Sequence, residues 1–183
     1  MSFRPDVDRS RIDLFLRELG RVYRRPARLY LVGGTTVVYV GLRQTTADID
    51  LGIQVDPAHH GELMRAIADL KDRLSINVEE ASPGDFIPLP TGWQDRSPYV
   101  GRFGQTDVFH FDYVSTALAK LGRGYEQDLE DVRMLLGAGL LDSEDLTTGF
   151  QEIAPKLRDR GRSKAEIAEF EDNLQLVLEQ RSA

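Results

Sequence analysis

The sequence predicts an α/β fold: a small mixed β-sheet flanked by helices, followed by a helical C-terminal part. Two observations predict it. Between Leu29 and Ile53 an apolar run, a Gly-Gly-Thr turn, a short helical stretch and an alternating run follow one another, LYLVGGTTVVYVGLRQTTADIDLGI. On both sides of that stretch, and through the last third of the chain, apolar residues recur at the spacing of amphipathic helices. The expected division is a core with its N-terminal helix at residues 1–139 and a helical extension at 140–183.

In chain order, Asp6 or Asp8 is placed to cap a first helix. Its apolar positions Ile12, Phe15, Leu16, Leu19, Val22 and Tyr23 form one stripe, and Pro26 stops it before a strand over Leu29–Val32. A helix over Thr36–Leu42 and a strand over Ala47–Ile53 complete the central stretch. Asp56-Pro57 then starts a helix with Leu63, Ile67 and Leu70 inward, and His59 and His60 in its first turn read as exposed helix-start histidines. Leu74–Glu80 reads as a strand with Ile76, Val78 and Glu80 on one face and Asn77 and Glu79 on the other. Ser82–Pro98 holds four prolines and two glycines, which argues against helix and for an ordered loop anchored by Phe86, Ile87, Leu89 and Trp93. Tyr99–Phe103 and Thr106–Phe111 alternate around Gly104-Gln105, a hairpin signal, with His110 read as structural. Asp112 caps a helix over Val114–Gly122, and Leu129, Val132, Leu135 and Leu136 mark the next. Two stripes after Leu140 give two terminal helices without visible chemistry.

Composition narrows the function classes. At 183 residues, 41% hydrophobic and 29% charged, the chain is an ordinary globular protein with room for a substantial core. No apolar run approaches the ~20 residues of a membrane span. The start, Met1-Ser-Phe-Arg-Pro-Asp, lacks the apolar segment of a signal peptide, so a cytoplasmic protein with no membrane partner is expected. The absence of cysteine excludes disulfides, thiolate zinc sites and cysteine nucleophiles. A net charge of −7 disfavours a broad basic face for nucleic acid. The cluster Arg17, Arg21, Arg24, Arg25 and Arg28 reads first as a solvated helix end.

The chemistry concentrates at the turn and the strand after it. Asp48 and Asp50 lie two apart, so they project from one strand face about 7 Å apart while Ile49 enters the core. Paired carboxylates at that spacing suit one or two divalent cations, Mg²⁺ or Mn²⁺. Gly33 and Gly34 let the backbone approach a ligand closely, and the following helix offers N–H groups to an anion. Phosphate at the turn and metal at the carboxylates together point to a nucleotide. A second motif, Lys120-x-x-Arg123 followed by Asp128-Leu129-x-Asp131, places two carboxylates on one side of a helix start. An ion-paired helical corner is the alternative reading, and the two are compatible, since an ion pair can hold a lysine in place.

Gly33-Gly34-Thr35, a spacer of about a dozen residues and Asp48-Ile49-Asp50 resemble the signature of the nucleotidyltransferase superfamily, the DNA polymerase β-like fold. The lead-in Arg43-x-Thr45-Thr46-x-Asp48 and the Lys120…Asp128 motif look like its AbiEii-type, toxin-like branch, in a minimal version. The resemblance covers roughly residues 28–137 and implies a nucleotidyltransferase-like core. It implies transfer of a nucleoside monophosphate group from a nucleoside triphosphate to an acceptor hydroxyl, with Asp48 and Asp50 as metal ligands and Gly33, Gly34, Thr35, Arg43, Lys120 and Arg123 on the nucleotide. Lys120 and Asp128 would join the catalytic set. A third carboxylate is expected on a later strand, Glu79 first, with Glu80 and Asp85 behind it. The branch suggests tRNA or another RNA as acceptor and a cognate antitoxin as partner. The alternative expectation is a non-catalytic protein that keeps the scaffold and binds a partner protein.

Overall fold

The computed structural model describes residues 4–179 and divides the chain into two units. Met1–Phe3, part of the stretch read above for an apolar leader, lie outside the described residues. The first unit is the chain up to Ala81 together with Pro98–Phe111; the second is Ser82–Ser97 and the chain from Asp112 on.

The first unit opens with α1 (Arg9–Val22), capped by the Asp8 carboxylate, which accepts the Arg11 N–H at 2.9 Å. Ile12, Phe15, Leu16, Leu19 and Tyr23 are buried, but Val22 is exposed. At 100° per residue Val22 lies about 80° from Ile12, beyond the edge of the stripe. Strand β1 (Ala27–Leu31), helix α2 (Gly33–Tyr39) and strand β2 (Ile49–Val55) follow. The helix therefore starts at the glycines and not at Thr36. Strand β2 starts two residues later than expected, because Thr46 is drawn into backbone hydrogen bonds of 2.7 and 2.9 Å with Val7.

Helix α3 (Pro57–Leu74) begins at the Asp56 cap, as its Asp-Pro start predicts, and buries Leu63, Ile67 and Leu70. It runs on through Leu74 and stops at Ser75 in the left-handed region, φ 51°. That leaves only Val78–Glu80 for β3 (Val78–Glu80), where seven strand residues were expected. The hairpin forms as predicted from β4 (Tyr99–Phe103) and β5 (Thr106–His110).

These strands make one sheet in the order β3-β2-β1-β5-β4. Strand β1 is antiparallel to β2 and parallel to β5, and β2 is parallel to β3, so the sheet is mixed. Strand alternation sends Ala27, Leu29, Leu31, Ile49, Leu51, Val78 and Val108 into one core with the buried stripes of α1 and α3. Fully burying one such Leu, Ile or Val side chain is worth roughly 1.5–3 kcal/mol, which makes this layer the main force holding β1 and β2 in place. The opposite parity, Tyr30, Asp50, Gly52, Glu79 and Phe109, belongs to the other sheet face.

The second unit is helical. The proline-rich stretch contains a 3₁₀ turn (Pro83–Asp85) and α4 (Trp93–Arg96), contrary to the non-helical reading. Pro90 and Pro98 leave seven residues between them without proline, enough for one turn. Then come α5 (Tyr113–Arg123), α6 (Glu126–Gly137), α7 (Ser143–Asp159) and α8 (Lys164–Glu179). The Asp112 carboxylate caps α5 and is gripped by the Arg96 guanidinium at 3.1 and 2.9 Å. Helix α7 comes so close to α5 that a Cβ on Gly149 would stand 2.7 Å from Val114 Cγ1. Phe150 and Phe170 meet edge to face at 5.0 Å and tie α8 to α7. Among the described residues no helix is long and apolar enough to cross a membrane.

Candidate functional site

The turn between β1 and α2 and the start of β2 are fastened together by one hydroxyl. Thr35 is fully buried, and its Oγ1 accepts the Asp50 N–H at 2.8 Å while donating to the Asp48 carbonyl at 3.4 Å. The Val32 N–H donates to the Asp50 carbonyl at 3.0 Å, so both backbone groups of Asp50 are fixed from the turn. Ile49 is completely buried between two half-buried aspartates. Only Asp50 lies on the strand; Asp48 stands in the bend just before it and not on the expected strand face.

The glycines are there for space as well as for conformation. Gly33 has φ +57°, and a Cβ on it would lie 3.3 Å from Asp50 Oδ2. The Asp50 carboxylate thus rests against the glycine backbone. A Cβ on Gly34 would run into the Arg43 guanidinium and stand 2.8 Å from Thr46 Oγ1. Arg43, whose Nε–H also donates to the Thr45 carbonyl at 3.1 Å, therefore lies across Gly34. Gly33, Gly34, Asp50 and Arg43 meet in one place. Thr46, named in the lead-in motif but not among the expected site residues, joins them because the bridge to Val7 holds it there.

Sheet register places the carboxylates expected to follow. Glu79 pairs with Asp50 across β3 and β2, which puts both on the same sheet face on neighbouring strands. Glu80 pairs with Leu51 on the other face and stands 3.5 Å from His60 Nε2. Asp85 is in the second unit, where it accepts the Ser82 N–H at 2.9 Å as half of a capping box. Among the described residues no group of three His, Asp or Glu side chains converges as a metal cage. Mg²⁺ does not need one: it is commonly held by one or two carboxylates, with waters and substrate phosphates filling the octahedron. The hard oxygen donors of Asp48 and Asp50 fit that mode.

A polar chain fixes α2 from behind. The Thr36 hydroxyl donates to the Leu31 carbonyl at 2.7 Å, so His110 Nδ1, 3.2 Å from it, must carry the proton and donate. Burial, helped by the charge of Arg9, lowers the His110 pKa to about 4, so the ring is neutral at pH 7. Tyr39 packs edge-on to that ring, and its hydroxyl donates to Asp13 at 2.7 Å. Burial and the bond to Asp13 push Tyr39 up to about 12. The sequence marked His110 as structural but carried no sign of the Thr36 contact, which joins residues 74 apart.

The second motif forms a buried ion network within the second unit. Lys120 Nζ donates to Asp128 at 3.1 Å and to Asp131 at 2.7 Å. Arg123 grips Asp128 with Nε and Nη2 at 3.1 and 2.6 Å, and Gln127 donates to Asp131 at 3.2 Å. Lys120, Asp128 and Asp131 are all nearly or fully inaccessible to solvent. Two cations and two anions balance, the condition under which such charges can be buried. Lys120 and Asp128 are thus paired with each other, as the ion-paired helical corner requires. Asp131, not singled out for the site, is the nearer partner of Lys120.

A family model described as a nucleotidyltransferase of unknown function (DUF6036) matches residues 10–173. No curated protein and no solved structure matches the chain.

Proposed function

Because this chain belongs to that family of nucleotidyltransferases of unknown function, we propose that it moves a nucleoside monophosphate group from a nucleoside triphosphate to an acceptor hydroxyl, using Mg²⁺ or Mn²⁺ at Asp48 and Asp50. One observation carries the reading: the Asp50 carboxylate rests against Gly33, and Thr35 ties both aspartates to that turn. A carboxylate pair, a glycine turn and a guanidinium are held in one frame, where metal-bound phosphates need them.

When bound, the cation would neutralise phosphate oxygens and ease ionisation of the acceptor hydroxyl. The protein supplies the rest by positioning and electrostatics. The acceptor oxygen attacks the α-phosphorus; the new P–O ester forms as the bond to the bridging oxygen of the β-phosphate breaks, and pyrophosphate leaves. Glu79, beside Asp50 in register, would take the hydroxyl proton or complete the metal shell. Gly33 and Gly34 admit the phosphates, and Arg43 offers its positive charge over Gly34. For Lys120 and Arg123 to reach phosphate, they would first have to exchange Asp128 or Asp131 for it.

Within this reading the Arg43-x-Thr45-Thr46-x-Asp48 lead-in supports an AbiEii-type enzyme with tRNA or another RNA as acceptor and a cognate antitoxin as partner. A second reading, a scaffold without catalysis that binds a partner protein, draws support from the lack of a three-carboxylate cage among the described residues. Pyrophosphate release separates the two. Each nucleoside triphosphate is supplied with Mg²⁺ or Mn²⁺ and bulk tRNA, and release should be abolished in Asp48→Ala and Asp50→Ala. Unchanged turnover in either variant would remove the metal-carboxylate mechanism.

A further inference from the structure

At the far end of β1 from Gly33, the first unit opens into a groove of about 620 Å³. Its walls come from the start of β1, the end of β2, the first turn of α3 and the β4–β5 hairpin, including Arg28, Gln54, Asp56, His59, Arg102 and Asp107. The volume falls in the ordinary range of small-ligand sites. From Ala27 to Leu31 is four residue steps, about 13 Å, so a ligand here is separate from the Asp48–Asp50 pair.

We propose that this groove binds an organic phosphate, a phosphate mono- or diester, through Arg28 and Arg102. The groups lining it are unequally committed. Both carboxylates are already engaged: Asp56 accepts the Ala58 N–H as the cap of α3, and Asp107 accepts from the Tyr99 hydroxyl at 3.3 Å with Arg102 at 3.8 Å. The donors are not so engaged. Arg28 is exposed, lies over the Phe109 ring at 5.8 Å and has no carboxylate partner among the described residues. Arg102 holds Asp107 only loosely and is mostly exposed. Gln54 uses its carbonyl for the Tyr30 hydroxyl, which leaves its NH₂ to donate. Two guanidinium forks and an amide donor from three strands line one groove and select an anion with several oxygens, which phosphate provides.

This inference does not rest on nucleotidyl transfer, and its test is run in chelator so that no metal-dependent binding contributes. Inorganic phosphate, adenosine monophosphate and a short single-stranded RNA are titrated into the protein while the Nε–H signals of Arg28 and Arg102 are followed by NMR. Saturable shifts of both signals with an ester are expected, at least tenfold weaker binding in Arg28→Gln/Arg102→Gln, and undiminished binding in Asp50→Asn. Saturation by the monophosphate identifies a free nucleotide-like ligand; tighter saturation by the RNA identifies a diester. No saturable shift with either ester, or binding that survives the double substitution, would overturn the proposal. So would binding of inorganic phosphate alone.

Discussion

The Asp50 N–H donates to Thr35 Oγ1 at 2.8 Å, a bond between residues 15 apart that fixes the first residue pair of β2 against the first turn of α2. The same hydroxyl reaches back to the Asp48 carbonyl. The position of the two aspartates is therefore set by a buried threonine whose hydroxyl is committed to their backbone.

Thr35→Val should cost about 1–3 kcal/mol, because it leaves the Asp50 N–H without its partner in a site of the same shape. Thr35→Ser should recover most of that loss. Urea unfolding of the two variants checks it, and an unchanged stability in Thr35→Val would show that the hydroxyl is not what holds Asp50.

Gly33→Ala places a side chain at φ +57° and 3.3 Å from Asp50 Oδ2. A cost of about 1–2 kcal/mol is expected from the left-handed backbone, with weaker metal-nucleotide binding from the crowded carboxylate. Isothermal titration with Mn²⁺ and a triphosphate reads the second effect apart from the first. Unaltered affinity would detach Gly33 from the site.

Lys120→Met leaves Asp128 and Asp131 with one cation between them, and breaking a buried ion pair from one side costs about 3–5 kcal/mol. Arg123→Ala, at a third-exposed side chain, should cost only about 1 kcal/mol. Chemical denaturation gives both numbers. A small loss for Lys120→Met would show that the network contributes little to folding.

His110 gives the protein an acid-sensitive core. Its pKa is about 4 folded against 6.5 in the unfolded chain, so below pH 6.5 the unfolded state binds the extra proton. Stability from this group is complete above about pH 6.5 and falls as pH drops toward 4, by roughly 3 kcal/mol in all. The His110→Gln variant should lose that part of the slope when urea midpoints are compared between pH 7 and pH 4.5. An unchanged slope would place the sensitivity elsewhere.

Local chemistry made much of this fold readable from the sequence. Asp56 and Asp112 announce the starts of α3 and α5, and Asp8, one of two candidates with Asp6, that of α1; each carboxylate takes up its helix N–H as the cap rules require. The Gly-Gly-Thr turn and Asp48-Ile49-Asp50 stood out because their spacing is local too. What stayed hidden depends on distant pairing. Nothing near Glu79 says that it will sit in register with Asp50, since parallel pairing of β2 and β3 is decided across the whole of α3. The shortening of β3 follows from α3 running to Leu74, a contest between helix and strand that periodicity over so few residues does not decide. Asp131 carried its signal, three residues after Asp128 on the same helix side, but its bond to Lys120 needed the corner between α5 and α6 to close.

The central claim is that Asp50 and the Gly33 turn hold a metal-bound nucleotide. Thermal unfolding against each of the four nucleoside triphosphates, with Mg²⁺ or Mn²⁺ and with chelator, tests it most directly. A ligand at ~100 times its Kd should add roughly 2.7 kcal/mol, a rise of several degrees for a chain this long. The account predicts a rise that requires the metal and disappears in Asp50→Ala. No rise with any nucleotide, or one that persists in chelator or in the variant, would contradict it.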